Sequence, residues 1–195
     1  MIELTGIRLS LGKITNKRVT SNKISLFLLL FSLSIGLLRA APTQINVTGA
    51  TLIPTNTGQG ATDVGMVYFQ LQTTKLSATW SAVTITLTGT AADIDISSVQ
   101  IHKDSGNGTW DGGGTDASIG SSTFSGGTAN ITLGASESVT TALSVRYYVV
   151  YNISGTATTT NTAGATVASG AFTANKAVNA FTNIVSGGGS LTVEL

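Results

Sequence analysis

The fold class this sequence predicts is all-β: an antiparallel two-sheet sandwich, immunoglobulin-like in the general sense, with about nine strands. A short apolar helix is expected before it. Three observations carry that expectation. Only 10% of the 195 residues are charged, and Thr, Ser, Gly and Ala dominate, with 23 glycines against two prolines. Small and β-branched residues suit pleated strands and tight turns, whereas long surface helices draw on Glu, Lys and Arg. From Gln44 onward apolar and polar residues alternate in short runs separated by turn residues, and no amphipathic helical period follows residue 41. Short strands of this kind need two sheets, because one sheet would leave an apolar face bare.

The N-terminal segment stands apart. Lys13, Lys17, Arg18 and Lys23 precede Ile24–Leu38, an apolar run of fifteen residues broken only by Ser and Gly, and Leu38-Arg39-Ala40-Ala41-Pro42 follows. A basic flank, a short apolar core and a small-residue exit are the parts of a secretory signal. The run is short for a spanning helix, which needs about 20 apolar residues. Residues 1–40 are therefore expected to be a signal peptide, or an N-terminal anchor if uncleaved, and residues 41–195 a single β-sandwich domain. The destination is secretion or the cell surface, with membrane contact only through that segment.

Strands are expected at Ile45–Thr48, Gly65–Thr73 and Trp80–Gly89, where Val83, Ile85 and Leu87 alternate with threonines. Thr55–Thr62 is a Gly/Thr-rich loop. Val99–His102 leads into the densest acidic stretch of the body, Asp104–Asp116. Ser118–Phe124 and Ala129–Leu133 flank Gly126-Gly127, a hairpin signal. Ser144–Ile153 is apolar on both faces, with Val145, Tyr147, Val149 and Tyr151 on one side, and so belongs at a sheet's centre. Ala165–Ala168, Ala171–Thr173, Val178–Ile184 and Leu191–Leu195 complete the set. Residues 185–190 form a Gly-rich linker to the last strand.

Charge narrows the function classes. Residues 1–40 hold six of the ten basic residues, so the body has four basic residues against eight acids. A mildly acidic body without a basic patch argues against nucleic acid. No cysteine is present, which excludes disulfides and thiolate metal sites. His102 is the single histidine and, at a strand end, reads as a surface residue. Glu137 and Glu194 show no partnership from spacing, and no nucleophile motif occurs, so no catalytic residue is assigned and the chain is expected not to be an enzyme.

Gly60–Met66, the Trp80-led strand ending at Ala91, Asp93-Ile94-Asp95-Ile96, the acidic loop, Ser121–Gly127 and Tyr147–Tyr151 together resemble the β-sandwich modules of large secreted and surface proteins of bacteria. The resemblance spans about residues 44–170. It implies a structural or adhesive role, and it implies calcium, since such modules often carry Asp-x-Asn-Gly-Asn-Gly-x-Trp-Asp. The matching residues are Asp104, Asn107, Gly108, Trp110 and Asp111, one residue shorter between the two aspartates. Gly114 occupies the position of the next acid, and Asp116 would stand in for it. The candidate metal ligands are thus Asp104, Asn107, Asp111 and Asp116, with Asp93 and Asp95 able to approach from the preceding loop. Calcium takes six to eight oxygens, and a glycine-rich loop can bend to present them. The same residues also suit a polar turn whose side chains satisfy its own backbone.

The function expected is an exported, non-enzymatic structural or adhesive sandwich that self-associates through edge strands or the C-terminal strand. The alternative is a carbohydrate-binding accessory module, with a surface glycan as partner. It would draw on Trp80, Trp110, Tyr147, Tyr148 and Tyr151, although core packing is the favoured use of these aromatics. Trp110 is expected as a plug on the sandwich edge.

Overall fold

The computed structural model describes residues 41–52, 56–141, 145–186 and 191–194. The expected N-terminal helix or signal lies outside them, as do positions 187–190 of the expected linker. Among the described residues no helix is long and apolar enough to cross a membrane.

The chain is all-β. Its strands are β1 (Ile45–Thr51), β2 (Asn56–Gly58), β3 (Val64–Thr73), β4 (Ala78–Gly89), β5 (Ile96–Lys103), β6 (Ala117–Ser122), β7 (Thr128–Val139), β8 (Arg146–Ile153), β9 (Thr162–Val167), β10 (Phe172–Ala174), β11 (Ile184–Val185) and β12 (Leu191–Glu194). A 3-10 turn at Asp93–Asp95 precedes β5. The first sheet runs β1-β3-β8-β5-β6, antiparallel throughout. In the second, β4 pairs with β7 on one edge and with β10 and then β9 on the other. β9 also pairs with β11 and β12, and β12 runs parallel to β2.

Alternation explains the core. Val67, Phe69 and Leu71 of β3, Val99 and Ile101 of β5, and Tyr147, Val149 and Tyr151 of β8 face inward. They meet Trp80, Val83 and Ile85 of β4, Ala129 and Ile131 of β7, and Ala163, Ala165 and Val167 of β9. Four rings interlock between the sheets: Trp80 lies edge-on to Tyr147 at 4.9 Å and to Phe69 at 5.6 Å, and Phe172 caps Phe69 at 5.1 Å. Such geometry adds about 0.5–1.5 kcal/mol per pair beyond area burial. Across the core, the Tyr151 hydroxyl donates to the Gly164 carbonyl at 3.1 Å.

Several expectations are corrected. The Gly/Thr-rich stretch read as a loop contains β2, because Thr57 and its neighbours pair with the last strand. Of the run 178–184 only Ile184, the first residue of β11, lies in a strand. Val178 makes one bridge to Ile45, and the chain is then held by side chains, with Asn183 accepting from Ser169 N and the Ser169 hydroxyl accepting from Phe181 N. Val185 pairs with Thr166 and the Ser186 hydroxyl accepts from Ala165 N, so the first two residues of the expected linker belong to the sheet.

Gly126-Gly127 does make a tight turn, closed by mutual bonds between Ser125 and Thr128, with both glycines at positive φ. It joins no hairpin, however, because β6 and β7 lie in opposite sheets. Phe124 sinks into the core beside Tyr151 and carries the chain from one sheet to the other. The expectation for β8 holds: it is the middle strand of five, buried on both faces.

Candidate functional site: the acidic loop and the face beneath it

The loop between β5 and β6 folds back over the outer face of the first sheet. Alternation points Tyr68 of β3, His102 of β5, and Tyr148 and Val150 of β8 away from the core, and the register shift between Gly65 and Val67 brings Gly65 to the same face. Even so, Tyr148 and Val150 are fully buried and His102 is 2% exposed. Trp110 covers His102 and Tyr148. A Cβ at Gly65 would lie 2.8 Å from the Trp110 ring, so only glycine leaves room for the indole. The ring stands 5.1 Å from His102 and 5.3 Å from Tyr148, and its N–H donates to the Asp63 carbonyl at 3.2 Å. Trp110 is therefore a half-buried lid on a sheet face and not an edge plug. Because of that cover, His102 is buried, contrary to the surface position expected of a strand-end histidine.

Two carboxylates brace the loop from within. Asp104 accepts from the amides of Gly106 and Gly108, each at 3.0 Å, and from the Tyr148 hydroxyl at 3.0 Å. Gly106 and Gly108 both sit at positive φ, the bend that wraps the backbone around this carboxylate. Asp116, at 0% exposure, accepts from Ser105 N at 2.8 Å and Asp111 N at 3.2 Å. Its own carbonyl lies 2.7 Å from His102 Nδ1, while His102 Nε2 lies 2.7 Å from Gln100 Oε1. Burial, and then the bond to Asp104, push the Tyr148 phenol well above the usual tyrosine range. Asn107 and Asp111 are exposed and turned toward each other, with the Thr109 hydroxyl donating to both. Arg146 ties the loop down from the sheet. It lies 4.5 Å over the Tyr68 ring and donates to the Gly108 carbonyl.

This arrangement bears directly on calcium. The carboxylates of Asp104 and Asp116 are engaged with amides, and the exposed Asp111 pairs with Asn107. Among the described residues no group of three or more acidic or histidine side chains is placed to hold one ion. Gly114, where the next acid was expected, has open space beyond its Cα.

Asp93 and Asp95 do not bond to this loop. Asp93 accepts from Gly127 N at 3.0 Å. Asp95 accepts from Ala92 N, Thr158 N and the Asn161 side chain. Burial raises the Asp95 pKa, but those donors, Thr158 and Ala92 first, outweigh it and hold the carboxyl below its ordinary value.

Glu137, which showed no partner by spacing, accepts from Lys103 at 2.7 Å and from the Tyr147 hydroxyl at 3.2 Å. Burial above all, with Glu137 adding to it, pushes the Tyr147 phenol up to about 12. Asp63, also missed, packs against Gly113, where a Cβ would meet it at 2.9 Å. Only its left-handed φ of 57° next to a Gly-rich stretch could have hinted at a specialised turn, and φ is invisible in sequence.

No protein-family model matches this chain, and no curated protein matches it.

Proposed function

We propose that the chain is an exported, non-enzymatic β-sandwich that serves as a structural or adhesive surface component and can self-associate by strand addition. One observation carries this reading. The carboxylates of Asp93, Asp95, Asp104 and Asp116 each accept backbone amides, so the acidic groups most concentrated in the sequence hold irregular chain in place. The resemblance to bacterial surface modules supports the same role, as does the signal-like N-terminal segment. Expression in a secreting bacterial host tests it: the body should be recovered outside the cytoplasm with its N-terminus near Ala41. Quantitative retention in the cytoplasm would overturn the proposal.

Calcium is the cation this loop would take, and Asp104 and Asp116 would have to leave their amides to ligate it. A rise in melting temperature with millimolar Ca²⁺ would establish that binding, since a ligand specific to the native state must stabilise it. The carbohydrate alternative rests on Trp110 and Tyr68, which are half-buried, because Trp80, Tyr147, Tyr148 and Tyr151 are all buried.

A further inference from the structure

One dipeptide of the acidic loop is built for a reaction of its own. Asn107 is exposed and is followed by Gly108, whereas every other asparagine of the chain precedes a residue with a side chain. In an Asn-Gly pair the glycine nitrogen can attack the asparagine Cγ, because no Cβ blocks the approach. The Gly108 N–Cγ bond forms, the Cγ–Nδ2 bond breaks, and ammonia leaves with the amide proton. Water then opens the cyclic imide at either carbonyl, leaving aspartate or isoaspartate at position 107.

The loop opposes this reaction at its first step. The Gly108 nitrogen must give up its proton to attack, and that N–H is directed at both oxygens of the Asp104 carboxylate, at 3.0 and 3.2 Å. The Tyr148 hydroxyl, donating at 3.0 Å, holds the carboxylate in place from the sheet. Loss of the proton would set an amide anion against a carboxylate, which Coulomb repulsion disfavours. The electrophile is pinned as well. Asn107 Oδ1 accepts from Thr109 N at 2.9 Å and from the Thr109 hydroxyl at 3.0 Å, and its Nδ2 donates to Asp111. The neighbouring pair Asp111-Gly112 has no such hold, since the Gly112 N–H makes no hydrogen bond among the described residues.

We propose that Asn107 is a guarded site of spontaneous deamidation, and that the Asp104 carboxylate on the Gly108 amide sets its rate. Loss of that contact, and not the exposure of Asn107, starts the conversion. The conversion replaces the donor facing Asp111 with a carboxylate and turns the three acids of the loop into four. Like charges then meet where a hydrogen bond stood, and the loop loosens. This inference depends on neither export nor self-association.

Two measurements on the purified chain in chelator test it. Base-catalysed hydrogen exchange removes the same proton from the same nitrogen. By NMR the Gly108 amide should exchange at least about tenfold slower than the Gly112 amide, the factor that a hydrogen bond to a charged group supplies. The second measurement follows Asn107 by chromatography and mass spectrometry of the tryptic peptide 104–146, which no lysine or arginine interrupts before its end. Folded D104A should deamidate at least about tenfold faster than folded wild type and approach the rate of wild type unfolded in guanidinium chloride. Asn130, followed by Ile131 in the same peptide, is the internal control and should stay intact.

Circular dichroism shows whether D104A is folded, and if it is not, the exchange ratio in wild type decides alone. A Gly108 amide that exchanges as fast as that of Gly112 overturns the proposal. So does a folded wild type that deamidates at the unfolded rate, or a folded D104A that stays as slow as wild type.

Discussion

Removing the Asp116 carboxylate should uncouple the acidic loop from the sheet without any involvement of metal. In D116A the amides of Ser105 and Asp111 lose a charged acceptor held at 2.8 and 3.2 Å in a fully buried position. Hydrogen bonds to charged groups contribute about 1.5–3 kcal/mol each, and the lower figure applies here because a loosened loop admits water to the freed amides. The expected loss is thus about 3 kcal/mol, which for a body of this size lowers Tm by roughly 6–12 °C.

D111A is the matched control. It removes an acid from the same loop whose side chain is exposed and, among the described residues, bonds to Asn107 and Thr109. Its cost should stay within about 0.5 kcal/mol, the usual range for surface changes. Urea unfolding of both variants in chelator, followed by tryptophan fluorescence and circular dichroism, measures the difference. Similar losses in D116A and D111A would refute a bracing role for Asp116. So would a D116A that is harmless in chelator and costly only with Ca²⁺, because a shared ion and not the two amides would then be holding the carboxylate's place.

Four further outcomes follow from the same geometry. W110A should cost about 2 kcal/mol, less than the 3–5 of a fully buried tryptophan because the ring is half-exposed, and faster hydrogen exchange around Tyr148 would report the lost cover. G65V should behave alike in the same exchange experiment, since its side chain would occupy space 2.8 Å from that ring. Y151F should cost about 1 kcal/mol in urea unfolding by removing the hydroxyl's bond to the Gly164 carbonyl. The acid limb should depend on Asp95. Its folded pKa is depressed, so its contribution is complete above the unfolded value near 3.9 and is lost as pH falls through the lower folded value. D95N should therefore flatten the loss of stability on acidification below about pH 4 relative to wild type, as read by unfolding at stepped pH.

Much of the architecture was legible because strands announce themselves through alternation. The expected bounds of β3, β4 and β8 lie within two residues of the observed ones at each end, and the central position of β8 followed from its two apolar faces. What alternation cannot encode is which strand a segment meets. Gly126-Gly127 carried a sound turn signal, yet Phe124 decided that the chain changes sheets, and a single buried ring has no period. β2 was invisible for a related reason: three polar residues make a strand only because β12 lies beside them. His102 was misplaced because its burial depends on a loop that folds back over it, and that contact is set by Trp110, Gly65 and Asp63 together. Glu137 and Lys103 lie 34 residues apart, so no spacing rule could have paired them.

The acidic loop shows why sequence alone left two readings open. A calcium site needs carboxylates presented by backbone that can turn sharply, and so does a loop that satisfies its own amides without a ladder. Both demands select Asp, Asn and Gly in close succession. They part company only over where the carboxylates point. An ion gathers them, whereas backbone amides spread them out, one per bend. Here Asp104 caps the bend at Gly106 and Gly108, while Asp116 reaches across the loop to Ser105 and Asp111. Asp93 and Asp95 repeat the device at two other irregular stretches, on the amides of Gly127 and Thr158. A body with so few charges that places four carboxylates on backbone amides gains order where the sheets end.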